Sequence, residues 1–181
     1  MPAARPRILT LNLPTIEDMR NLGRLIFTLH LPVTVALLLW AWLGRVLFGV
    51  GGWFLMILPL FVGPWILLAL GLTSVLAYTR DQRPRAFTRW ETISVLTLWV
   101  GLFGVGLFIV DFGDTPGSDM SILTELAGRS ESMLDLSWNL AVVSGGLAVA
   151  GWLGLIVLLI LDRFRAPAPV ATRSSEHAPT R

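Results

Sequence analysis

Four long apolar runs, separated by polar gaps of unequal length, organise this chain. They occupy residues 25–43, 53–77, 92–110 and 138–161. At about 1.5 Å per residue, each run is long enough as a helix to cross the roughly 30 Å of hydrocarbon in a bilayer. The gap at 78–90 is short and dense in arginine, and it parts the runs into two pairs. The pattern predicts an all-α integral membrane protein of four transmembrane helices, arranged as two antiparallel hairpins.

Details of each run refine this. Thr15 reads as an N-cap, with Glu17 and Asp18 in the positively polarised first turn. Ile16, Met19, Leu22 and Ile26 then recur at helical spacing opposite Arg20 and Arg24. That spacing predicts a short amphipathic helix on the membrane surface before the first span. Together the lead-in and run exceed a signal peptide, so no cleavage is expected. Pro32 predicts a kink in the first run, and Trp40 and Trp42 mark its far interface. The second run carries no charge but holds Pro59 and Gly63-Pro64, which predict a bent helix. Glu91 and Asp111 bracket the third. The fourth is extended at its start by a polar turn from Ser130 and ends at Asp162, Arg163 and Arg165, before Pro167 and Pro169. Between the third and fourth runs, Met120, Leu123 and Leu126 predict a short helix capped by Ser118 and ended by Gly128. Residues 1–14 and 166–181 are expected to be disordered tails around a transmembrane domain at 15–165.

Composition agrees with the pattern. The 181 residues are 54% hydrophobic and 14% charged, more apolar surface than a soluble domain of this length would hide. All 14 basic residues are arginine, and twelve fall in the first segment, the 78–90 gap and the final segment, leaving only Arg45 and Arg129 elsewhere. Arginine excess marks the cytoplasmic side. Both termini are therefore expected in the cytoplasm, with the chain in a bacterial inner membrane. Arg80, Arg83, Arg85 and Arg89 are expected to hold that face to anionic lipid, at about 1 kcal/mol per residue near the surface. Cysteine is absent, which excludes disulfides, thiolate chemistry and cysteine-ligated metals. No basic stripe interleaves with stacking aromatics, and no nucleic-acid partner is expected.

Candidate chemistry is sparse. Asp111, Asp114 and Asp119 lie in an acidic connection and are candidate ligands for calcium or magnesium. Their spacing lacks the alternation and closing glutamate of an EF-hand loop, and the alternative is a solvated acidic cap. His30 is the one histidine within a run. It is a candidate haem ligand, although one imidazole does not complete a bis-histidine site, and intramembrane histidines also serve as hydrogen-bonding glue. Trp65, Trp99 and Trp152 sit near the middle of runs two, three and four. Either they line a pocket for a quinone, pigment or lipid tail, or they are ordinary bulk whose indole N–H groups need partners.

Small residues form a clearer signal. Ser94, Thr97, Gly101 and Gly104 make a seam along run three, matched on run four by Ser137, Ala141, Ser144, Ala148 and Gly151. Such seams let membrane helices approach closely. Gly146, Ala150 and Gly154 fall on roughly the opposite side of run four, a second smooth face for the first helix, another copy or a different protein. The centres of the runs hold no aspartate, glutamate or arginine, so no proton relay or ion-coupling carboxylate is expected. No nucleophile motif surrounds Ser94 or Ser144, and no phosphate-cradling loop is present. The expected function is a non-catalytic accessory or scaffold subunit of a larger membrane complex, without a cofactor. The alternatives are a small transporter subunit or oligomeric transport component, and, third, a haem-, quinone- or lipid-binding membrane enzyme.

Overall fold

A computed structural model describes residues 16–80, 85–114 and 119–164 of the chain. The expectations for the two tails, for caps at Thr15 and Ser118, and for Arg83 lie outside the described residues. Within them the chain is helical, and four helices are long and apolar enough to cross a membrane.

Helix α1 runs without interruption over Ile16–Leu43. The separate surface helix expected before the first span is therefore corrected: the amphipathic turns are the beginning of α1 itself. Nothing between Arg24 and Leu25 breaks a helix, and the segment is held from outside. Phe87 N–H donates to the Gly23 carbonyl at 3.1 Å, and Phe87 packs edge-on against Phe27. A Cβ at Gly23 would collide with the Phe87 carbonyl. Pro32 lies inside the continuous helix.

A 3-10 turn, Gly44–Phe48, leaves α1 and ends where Gly49 takes a φ of 73°. Helix α2 spans Phe54–Tyr78. Its prolines shape it, because Pro59 falls in a π-helical turn over Leu58–Val62 and Gly63-Pro64 opens the α-helical remainder. A proline has no N–H to donate, and a widened turn accommodates its ring without ending the helix. Helix α3, Arg89–Phe108, begins with a capping box: Thr88 N–H donates to Glu91 Oε2 at 2.8 Å, and Glu91 N–H donates back to Thr88 Oγ1. The short α4 is Ile122–Ala127, capped by Ser121, with Gly128 following at a φ of 92°. Met120, expected inside that helix, instead pairs with Asp111 through two backbone hydrogen bonds of 2.7 and 3.2 Å. Helix α5, Glu131–Phe164, is 34 residues long. At about 1.5 Å per residue it is longer than the hydrocarbon of a bilayer is thick.

The core is α3 lying along α5, with α1 on the other side of α3. Phe27, Ala77, Val95, Leu155 and Leu159 cluster at the end of the molecule where α2 meets the start of α3. Contacts at that end bring together the start of α1 (Gly23 with Phe87), the end of α2 and the end of α5 (Thr79 with Arg163). The other end carries Arg45, Asp111 and α4. Helix α2 stands apart: none of residues 54–72 is buried.

Candidate functional site

Because α2 stands off from α1, a cleft of about 550 Å³ opens between them, floored by α3 and α5. His30, Thr34 and Leu38 line it from α1, Trp65, Ala69, Leu72 and Thr73 from α2, Leu98 and Leu102 from α3, and Ala148 and Trp152 from α5. The polar atoms are few and nearly all engaged. Thr34 Oγ1 donates to the His30 carbonyl at 2.6 Å and accepts from Trp99 Nε1 at 3.0 Å. Thr73 Oγ1 donates to the Ala69 carbonyl at 2.8 Å and accepts from Trp152 Nε1 at 3.0 Å. Each hydroxyl thus satisfies an indole from another helix, and these two bonds tie α3 to α1 and α5 to α2. His30 differs. It is 1% exposed and packs edge-on against Phe87, yet neither ring nitrogen has a hydrogen-bond partner.

Of the three mid-run tryptophans, Trp65 and Trp152 line the cleft, while Trp99 supports it through Thr34. Thr34 and Thr73 escaped the sequence reading. Their signal was the indoles' demand for acceptors in segments otherwise almost without polar side chains.

At the far end Arg45 and Asp111 form a buried ion pair at 3.0 Å, their side chains 1% and 2% exposed. Arg45 also donates to the Ile109 carbonyl at 2.7 Å, and its guanidinium lies over the Phe54 ring. Asp111 Oδ1 accepts from the backbone N–H groups of Phe54 and Phe112 at 3.0 and 2.9 Å. Both carboxylate oxygens are therefore committed to the protein. Asp114 accepts from Trp53 Nε1 at 2.9 Å, and Asp119 is exposed. The three candidate ligands are thus divided among different tasks, and among the described residues no three His, Asp or Glu side chains form a metal-binding group.

At the opposite end Arg80 turns inward. It is buried, paired with Glu91, and lies 3.1 Å from Asp162. This joins the ends of α2, α3 and α5. A buried, paired guanidinium is not presented to lipid headgroups, whereas Arg85 and Arg89 are exposed.

The small residues sit mainly between α3 and α5. A Cβ on Gly101 would strike the Ala148 backbone, one on Gly104 the Ser144 side chain, and one on Gly151 the Leu98 nitrogen at 2.5 Å. Ser137 Oγ donates to the Phe108 carbonyl at 2.7 Å and meets Ser121 Oγ at the same distance, which docks α4. Ser94 presents its carbonyl to Gly151, and Ala141 is half-buried. Thr97 lies beside the seam, in a shallow groove with Leu147. Gly106, not singled out from sequence, lets α1 approach: a Cβ there would meet Trp40 Nε1 at 2.5 Å and Ala41 Cα at 2.9 Å. On the second face of α5, Gly146 and Ala150 are exposed. Gly154 belongs elsewhere, with Ser94 Oγ 3.1 Å from where its Cβ would stand.

Comparison with protein-family models, curated proteins and solved structures finds no match for this chain.

Proposed function

We propose that this chain is a four-span subunit of a bacterial inner-membrane assembly, built as two antiparallel hairpins with both termini in the cytoplasm. Its role on this reading is to dock and position a larger membrane protein rather than to carry out chemistry. The orientation is supported by the meeting of Arg20, Arg24, Arg85, Arg89 and Arg163 at one end of the bundle, against Arg45 and Arg129 toward the other. The exposed members of that group suit an anionic leaflet.

The observation that carries the accessory role is α2. Membrane helices associate through close packing and hydrogen bonds rather than through the hydrophobic effect. Yet no residue of α2 from 54 to 72 is buried, and its ties lie near its ends: Trp42 Nε1 to the Leu55 carbonyl at 2.9 Å, Trp152 to Thr73, and the Arg80 pairs. A helix so free of its own chain has a side available to another one. The open strip at Gly146 and Ala150 is a second such surface.

Purification of the tagged full chain at native abundance in a mild detergent, followed by mass spectrometry, tests the reading. The expected result is one membrane protein in fixed stoichiometry, photo-crosslinked from Leu60 or Leu67 and lost in Ala150→Leu with monodispersity retained. A chain that purifies alone, with crosslinks only to lipid, refutes it.

A further inference from the structure

The cleft between α1 and α2 has a feature that packing does not explain. His30 is buried at its edge with both ring nitrogens unpartnered, while the hydroxyls of Thr34 and Thr73 and the indoles of Trp99 and Trp152 are paired. Inside a bilayer no water is at hand to satisfy such a ring, and an unmet polar group in hydrocarbon is costly. The remaining lining is apolar. Trp65, at 72% exposure, and Leu72 stand on the rim, so the cleft opens sideways, toward lipid.

We infer that this cleft is a binding site for an uncharged, single-chain lipid with a carbonyl-bearing ring, of the quinone type, whose oxygen accepts a hydrogen bond from His30 once the buried imidazole turns toward the cleft. Volume, depth and shape each restrict the occupant. About 550 Å³ lies within the roughly 300–1,000 Å³ of small-molecule sites. From Arg24 to His30, α1 rises about 9 Å at about 1.5 Å per residue, which places the imidazole well below the charged boundary. A phosphate or ammonium head at that depth is penalised, and a neutral carbonyl is not. The indole faces of Trp65 and Trp152 suit a flat ring, and Leu38 and Leu102 suit a chain. A plain acyl tail would fill the volume but leave the imidazole as it is. The site is independent of any protein partner.

The test uses the full chain in nanodiscs of one synthetic phosphatidylcholine, titrated with 2-decyl-1,4-benzoquinone and followed by quenching of tryptophan fluorescence. Decylbenzene, with a flat six-membered ring and the same tail but no oxygens, is the competitor. Saturable binding is expected, with the quinone favoured about tenfold at equal mole fraction in the bilayer, the worth of one good net hydrogen bond. His30→Leu should erase that preference, and Ala69→Phe, which fills the cleft, should abolish saturation. Quenching of the unmodified chain that rises linearly with quinone overturns the inference, as does equal affinity for decylbenzene. Both of those arms use the unmodified chain, so a misfolded variant cannot mask them. A His30→Leu chain that is monodisperse and keeps the tenfold preference overturns it as well.

Discussion

Asp111→Asn should cost this protein several kcal/mol, although it alters only one atom of the side chain. Wild-type Asp111 faces Arg45 at 3.0 Å with both side chains essentially excluded from solvent. The asparagine keeps an oxygen for the Phe54 and Phe112 N–H groups, so the loss isolates the charge. Arg45 is then left buried with the Ile109 carbonyl as its chief acceptor. Breaking one partner of a buried pair typically costs about 3–5 kcal/mol, mostly because the survivor is uncompensated. That mechanism makes a second forecast: Arg45→Met together with Asp111→Asn should recover at least about half of the single-mutant loss, since no lone charge remains. Reversible unfolding in mixed micelles of dodecylmaltoside and SDS, followed by tryptophan fluorescence, measures all four members of the cycle. Two results would refute the reasoning: a single mutant within about 1 kcal/mol of wild type, the range of an exposed pair, or a double mutant whose loss is the sum of the two singles.

Three further expectations concern packing and caps. Gly151→Leu should abolish most folded yield in detergent, because even a Cβ there meets Leu98 N at 2.5 Å, whereas Gly146→Leu, with nothing within 4 Å, should leave yield unchanged. Size-exclusion profiles of the two settle it, and equal yields would count against the seam. Glu91→Ala removes a cap and a partner of buried Arg80 at once, so a loss of about 3 kcal/mol or more is expected in the same unfolding assay. Glu91→Gln, which keeps the cap, should lose less. Trp152→Phe deletes the bond to Thr73 and should cost only about 0.6 kcal/mol. Its clearer sign should be faster hydrogen exchange confined to α2, and uniform exchange across all helices would contradict that tether.

The four apolar helices were legible because length and hydropathy suffice for them. The amphipathic start of α1 reads as a separate element, since sequence shows a change of polarity but not the Phe87 backbone that packs on Gly23 within the continuous helix. Asp111 looked like part of a hydrated acidic loop. Its real neighbour, Arg45, lies 66 residues away and looked like a stray charge. Arg80 likewise reads as one of four equivalent arginines until Glu91 and Asp162 are seen around it. In each case local chemistry was visible and the long-range partner was not. The unpartnered state of His30 has no sequence signal at all, because it depends on what four helices fail to place beside the ring.

The isolation of α2 bears on how the chain is made. A ribosome delivers α1 and α2 to the membrane before α3 or α5 exists. Thr73 must wait 79 residues for Trp152, and Arg45 must wait 66 for Asp111. Neither early helix buries much against the other: α1 finds its partner when α3 is made, whereas α2 lingers in lipid as a single rod until α5 arrives. Truncation before α5 should therefore leave α2 inserted but unassembled, the kind of nascent product that membrane proteases clear first.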